Sequence, residues 1–324
     1  MAKRTRTSQK RKTIGKKLLI IVLVILALWL VLVLLTPPPE PTATTDSAGW
    51  PVGIELPTPV SGEQIIQHTG YTLSYDEPYE VASYVAYQLT RDEVNGALDR
   101  TDDFRPDPAV TTGSATLDDY RGSGYDRGHL IPAADQKWSA QAMSDSFYMS
   151  NMTPQVGSFN RGIWSSLEAM VRTFANDNGA VYVVTGPVLT DGPYQTIGKN
   201  KVAVPKQFYK VVLFYDGTKA KAVGFLLPNE GSQKPVRSFA VPVDQVEQVT
   251  GLDFFPALPD DLENTVEATW DQNAWDWREF TAGDGPKMVV EGTIERPQTA
   301  IIRETLYLMV DAFRTQVLRL VRSL

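Results

Sequence analysis

The sequence predicts an α+β fold built around a mainly antiparallel sheet, and three observations predict it. Strand-like segments outnumber helical ones. They do not alternate with helices one for one, as a doubly wound parallel sheet would require. Asp216-Gly217, set between the apolar runs Tyr209–Tyr215 and Lys219–Leu227, is a strong two-residue hairpin signal. The 324 residues are enough for one or two domains with a full core, and 43% hydrophobic against 21% charged residues is a globular composition. Without cysteine there are no disulfides, thiolate zinc sites, iron–sulfur clusters or cysteine nucleophiles, and with only His68 and His129 no three-histidine site can form.

Read from the N-terminus, residues 1–17 carry eight basic side chains and no acidic one, a basic tail expected to stay cytoplasmic. Leu18 to Leu35 is apolar throughout, and its 18 residues span about 27 Å as a helix, enough for one transmembrane anchor. Basic charge before the run predicts that everything after Leu35 crosses the membrane. A cleaved signal peptide is the rival, but its apolar region normally runs about 7–15 residues before a small-residue cleavage site. Here Thr36-Pro-Pro-Pro-Glu40 follows instead. Residues 36–58, rich in Pro, Thr and Ser, read as an extended linker. Beyond the tail, 23 basic residues face 38 acidic ones, so residues 18–324 sum to −15, which argues against broad electrostatic capture of a polyanion.

Val81–Thr90 mixes alternation with β-branched and aromatic residues and predicts a strand. Residues 91–125, full of Gly, Pro, Asp and Thr, predict a long irregular functional loop. Trp164, Leu167, Val171 and Phe174 recur at helical spacing within 160–176, with Asn178-Gly179 as the stop, and Val181–Thr185 follows as a buried strand. Val243–Thr250 reads as a short helix closed by Gly251. Residues 59–262 form the expected main domain, and 263–298 an acidic segment with Trp270, Trp275 and Trp277. In 299–324, Leu306, Val310, Phe313, Val317, Leu320 and Leu324 make an apolar seam on one helical face. That helix is expected to pack on its own domain or a partner helix, with a lipid surface as the alternative.

Chemistry concentrates between Asp119 and Glu168. His129 sits in a glycine-rich loop with Arg121, Asp126 and Arg127, and Ser150–Gln155, Asn160, Trp164 and Glu168 follow. Asn160 is placed as an N-cap or first-turn residue. Glu168, eight residues on, lies roughly 80° around the helix, so the two share a polar face. A His base, guanidinium groups and an amide–carboxylate pair make a kit suited to cleaving a phosphodiester. His68 lies outside this stretch and is expected to be structural.

Asp126-Arg-Gly-His129 resembles the DRGH signature of the DNA/RNA non-specific endonucleases, the ββα-metal family that includes mitochondrial endonuclease G. The resemblance continues through Asp119–Tyr125, Phe147–Gln155, Asn160–Glu168, Tyr182–Pro187, Ile197–Pro205 and Thr250–Leu252, so it covers roughly residues 60–262. It implies a ββα-metal (His-Me finger) fold and a Mg2+-dependent, sugar-non-specific endonuclease, with Mn2+ able to substitute. It further implies His129 as general base, Asn160 as the protein ligand of the metal, and Glu168 as holder of one of the metal's waters. By the same resemblance Asn151 positions the phosphate or the His loop, Arg127 contacts phosphate, and Arg105 is a more distant phosphate-binding arginine. The products implied carry 5′-phosphate and 3′-hydroxyl ends. Substrate contact is expected on a local basic strip of Arg105, Arg121, Arg127, Arg161 and Lys199.

The expected partners are DNA and RNA, together with the lipid bilayer through residues 18–35, and a homodimer is compatible with the sequence. The expected address is the cell membrane, single-pass, with the catalytic domain extracytoplasmic, and a mitochondrial inner-membrane anchor is the lesser alternative. The competing function is a nucleic-acid-binding surface protein with a nuclease-like fold and no cleavage.

Overall fold

A computed structural model describes residues 45–46 and 49–278. The basic tail, the anchor expected at 18–35 and the amphipathic helix expected over 299–324 lie outside the described residues. The strands are β1 (Gln64–His68), β2 (Tyr71–Asp76), β3 (Val81–Thr90), β4 (Asp126–His129), β5 (Met152–Gln155), β6 (Ala180–Pro187), β7 (Gln195–Ile197), β8 (Val202–Val204), β9 (Gln207–Tyr215), β10 (Ala220–Pro228) and β11 (Ala240–Val241). The longer helices are α1 (Ala140–Asp145), α2 (Ser165–Asn178), α3 (Val243–Thr250) and α4 (Asp260–Ala268).

Seven strands form one sheet in the order β1-β2-β3-β6-β9-β10-β11, and every neighbouring pair is antiparallel. The β9–β10 hairpin falls where Asp216-Gly217 predicts it. Gly217 takes φ +91°, and the Asp216 carboxylate accepts from the backbone N–H groups of Thr218 and Lys219 at 2.9 and 2.7 Å, closing the turn. The sheet is buried on both faces, so β6 is almost uniformly apolar instead of alternating. Val181 and Val183 point into one core with Leu167, Val171 and Phe174 of α2. Tyr182 and Val184 point into a second core with Val243 and Val246 of α3 and Val266 of α4. The result is three layers: α2 and the site on one face, the sheet, and α3 with α4 on the other.

Residues 91–125 are largely irregular, interrupted by one-turn helices at Arg91–Val94 and Leu117–Tyr120, each opened by a threonine capping box. The domain reaches past both expected boundaries. Trp50 packs edge-on against Phe214, and Ile54 is buried in the second core, because apolar residues interleave with the Pro and Thr that read as linker. At the other end α4 runs through residue 262, and Trp275 is buried against Phe174 with ring centroids 4.5 Å apart.

Candidate active site

β4 and β5 pair antiparallel beneath α2, with Asp126 opposite Gln155, Gly128 opposite Thr153 and His129 opposite Met152. The chain then passes through a helical segment at Phe159–Trp164, kinked at Gly162, into α2, which completes a ββα unit. Gly128 lets the two strands approach closely: a Cβ on it would lie 2.1 Å from the Gln155 side chain, which would have to move. Of the two places expected for Asn160, the structure gives the first turn and not the N-cap, because the helical segment already begins at Gly157. The Asn160 N–H bonds the Val156 carbonyl at 2.9 Å, and Gly162 adopts non-helical dihedrals just after it.

His129 is 8% exposed and lies between two aromatic rings, Phe104 at 5.7 Å and Phe147 at 5.1 Å, both edge-on. Each of those rings carries an arginine on its face. Arg127 is 4.1 Å from the Phe104 centroid and Arg100 is 4.7 Å from that of Phe147. Burial, and then the positive charges of Arg100 and Arg127, lower the imidazole pKa to about 3, so His129 is neutral at physiological pH. Its Nε2 is buried and has no hydrogen-bond partner. A neutral imidazole whose acceptor capacity no protein group uses is equipped to take a proton.

Asn151 is fully buried and braces the segment after His129. Its Oδ1 accepts from Ile131 N–H at 3.0 Å, and its Nδ2 donates to the carbonyls of Ile131 and Ser146 at 3.0 and 2.8 Å. The Asn151 carbonyl in turn accepts from Leu130 N–H at 3.0 Å. Asn151→Ala strands three buried backbone groups, so we expect a loss of about 3–5 kcal/mol in stability. Urea denaturation measures it, and a change below about 1 kcal/mol would refute this bracing role.

Asn160 donates through Nδ2 to Asp126 at 2.9 Å, and Asp126 also accepts both its contacts from Arg161, at 2.8 and 2.6 Å. With Nδ2 committed, Oδ1 is the amide atom left for a cation. Glu168, on the first turn of α2, is half-buried, and burial pushes its carboxyl up against the opposing pull of Lys210 and Arg172. Lys210 of β9 is fully buried. Its Nζ reaches the Leu130 carbonyl at 3.5 Å and stands 4.7 Å from the Trp164 ring, and burial lowers its pKa despite the charges of Glu168 and Asp135. Arg172 closes the set by pairing with Asp135 at 2.9 Å, whose other oxygen accepts from Tyr87 at 3.0 Å.

The structure therefore brings His129, Arg127, Asn151, Asn160 and Glu168 onto one ββα unit. It holds Arg105 elsewhere: the guanidinium donates to Asp103 at 2.9 Å and to the Ser144 carbonyl at 2.9 Å, and stacks on Tyr148. In the expected basic strip, Arg121 pairs with Asp118 and Arg161 with Asp126, while no salt bridge among the described residues involves Arg127. His68 pairs with buried Asp107 at 2.8 Å and stacks on Tyr148, a structural place as expected. Sequence reasoning missed Arg100, Lys210, Arg172 and Asp135. Only Arg172 carried a signal, because it lies one helical turn after Glu168.

Comparisons with known proteins bear on this geometry. A model of the DNA/RNA non-specific endonuclease family matches residues 53–261. The chain is 40% identical over 209 residues to human "Endonuclease G, mitochondrial", covering 60% of this chain and 70% of that protein. It is 37% identical over 217 residues to mouse "Nuclease EXOG, mitochondrial", covering 62% and 59%, and 38% identical over 221 residues to "Nuclease C1" of Cunninghamella echinulata, covering 63% and 88%. Among solved structures, a chain of the EndoG/EndoGI complex aligns with a TM-score of 0.57 and 36% identity over 61% of this chain and 88% of its own.

These relatives correct the expected address. Several are named mitochondrial nucleases, and no helix of the described residues is long and apolar enough to cross a membrane. The single-pass cell-membrane location, with its extracytoplasmic domain and bilayer contact, is therefore withdrawn. The misreading has a physical cause: basic charge beside an apolar run sets the sidedness of a segment and carries no information about which membrane it meets.

Proposed function

Because the chain belongs to the DNA/RNA non-specific endonuclease family and is a hydrolase of that kind, we propose that it cleaves internal phosphodiester bonds of both DNA and RNA, with His129 as general base and Mg2+ as the supporting ion. The observation that carries this reading is the neutral, unpartnered imidazole of His129, flanked by two guanidinium groups.

The donors near it fit a hard, oxygen-seeking cation: an amide oxygen on Asn160, oriented by Asp126, and the carboxylate of Glu168, with no sulfur or imidazole donor in the set. Asn160 would be the direct ligand, and Glu168 would accept from water in the shell. When bound, the cation supplies positive charge to the scissile phosphate and the leaving 3′ oxygen, and Mn2+ can take the same place.

His129 takes a proton from water as the water oxygen bonds phosphorus. The P–O3′ bond breaks, the leaving oxygen is protonated from solvent, and the imidazole returns its proton to solvent, leaving 5′-phosphate and 3′-hydroxyl ends. Arg127 stabilises charge on the phosphoryl oxygens, being held on Phe104 and free of any salt bridge among the described residues. Asn151 keeps the backbone after His129 in register, and Arg105 would reach a phosphate further along the strand only by exchanging its contacts with Asp103 and the Ser144 carbonyl. Lys210 and Arg172 favour the ionised form of Glu168.

Supercoiled plasmid and a folded RNA, each incubated with the full chain and Mg2+, test the proposal. Both are expected to be cut internally, EDTA is expected to abolish cutting, and the ends should accept kinase label only after phosphatase treatment. Undiminished cutting in EDTA, or folded protein that cuts neither substrate with Mg2+ or Mn2+, would overturn it.

A further inference from the structure

From Ser238 to Trp277 the chain has nine carboxylates and no lysine or arginine. Five of them, Asp244, Glu247, Asp253, Glu263 and Glu267, interact electrostatically where α3 and α4 meet, and among the described residues no salt bridge reaches any of the five. One carboxylate oxygen from each of Asp244, Glu247 and Glu267 lies within 4.8 Å of the others. Two ligands on opposite sides of a Ca2+ ion stand about 4.8 Å apart, at roughly 2.4 Å per bond. Glu247 is held in place because its Oε1 accepts from Phe254 N–H at 2.8 Å.

Glu267 is the observation that points to a ligand. It is only 5% exposed, yet its Oε1 is buried with no hydrogen-bond partner. It also lies in the last turn of α4, where the helix dipole disfavours an anion, as it does for Glu247 at the end of α3. A buried, unpaired carboxylate among like charges is expensive unless it is protonated or faces a cation. Burial and the neighbouring carboxylates both disfavour its charged form, which is the imbalance a cation would relieve.

We propose that Asp244, Glu247 and Glu267 form a second divalent-cation site, selective for Ca2+ over Mg2+, which ties α4 to α3 on the face of the sheet opposite His129. Three carboxylates with water completing the shell suit the larger ion, which accepts irregular geometry. Mg2+ demands near-ideal octahedral contacts at about 2.1 Å. The site is separate from the Asn160 centre and does not depend on the catalytic reading.

The test is thermal unfolding of the full chain after EDTA treatment and dialysis, with and without 5 mM CaCl2 or MgCl2. The wild type and Asn160→Ala are both expected to gain about 2–4 °C in Tm with Ca2+ and less with Mg2+. Glu267→Gln is expected to lose the Ca2+ gain while still cutting plasmid with Mg2+. Asp244→Asn, on an exposed position, should lose most of the gain and decides the matter if Glu267→Gln fails to fold. No Ca2+ gain in the wild type would show a protonated carboxyl only, and a gain kept by both foldable variants, or lost in Asn160→Ala alone, would place the ion elsewhere. Each of these results overturns the proposal.

Discussion

His129→Ala should lower kcat on plasmid by about 10²–10⁴-fold while leaving substrate affinity within a few-fold of wild type, because a positioned general base contributes about that much to a proton transfer. The imidazole has no hydrogen bond through Nε2 to lose, and Arg127 and Arg100 remain on their aromatic rings, so ground-state binding has little reason to change. The same residue sets the pH dependence. Protonated imidazole cannot accept a proton, so kcat/KM falls as pH drops through the His129 pKa. Burial and two arginines depress that pKa to about 3, so the acid limb is expected below pH 5, whereas an unperturbed histidine would place it near 6.5. Glu168, raised to about 7 by burial, supplies a limb of its own, so a limb near pH 6.5 that persists in Glu168→Gln at saturating Mg2+ would mean that His129 is open to water in solution, and an Ala variant within tenfold of wild type would remove it as the base.

Asn160→Ala should reduce kcat/KM at about 1 mM Mg2+ by at least 10²-fold, with part of the loss recovered by raising the metal concentration. The variant removes the amide oxygen nearest to hand for the cation, and outer-shell changes alone typically cost 10–100-fold. It also removes the 2.9 Å contact to Asp126, which keeps only its pairing with Arg161, so the loop loses an orienting contact as well. Asn160→Asp separates the two effects. It restores an oxygen donor but sets a carboxylate against Asp126, so its activity and its Tm should both depend more steeply on Mg2+ than those of the wild type. Equal Mg2+ titration curves for Asn160→Ala and wild type would eliminate Asn160 as the ligand.

Part of this architecture was legible because its causes are local. The hairpin at Asp216-Gly217 and the helix stop at Gly179 follow from dihedral freedom and side-chain-to-backbone bonds a few residues apart. The helical face of Leu167, Val171 and Phe174 follows from periodicity. The kink at Gly162 was not legible, because a regular 100° step was assumed through a residue whose dihedrals leave the helical region. The packing at both ends of the domain was hidden for a related reason. Composition marked 36–58 as linker and 263–298 as a separate acidic segment, but burial of Ile54 and Trp275 depends on distant surfaces that receive them.

The sequence by itself determined the fold class, the punctuation of its elements, and the spacing that puts His129, Asn151, Asn160 and Glu168 within reach of one ββα unit, since each of these rests on bonds and angles between near neighbours. Only the tertiary structure decided what those residues are chemically. Arg100 and Arg127 reach His129 through Phe147 and Phe104, and Lys210 arrives beneath Glu168 from a strand 42 positions further along. Desolvation and Coulomb fields sum over everything close in space, whatever its distance along the chain. They convert an ordinary histidine into a buried, neutral one, and no motif spacing records them.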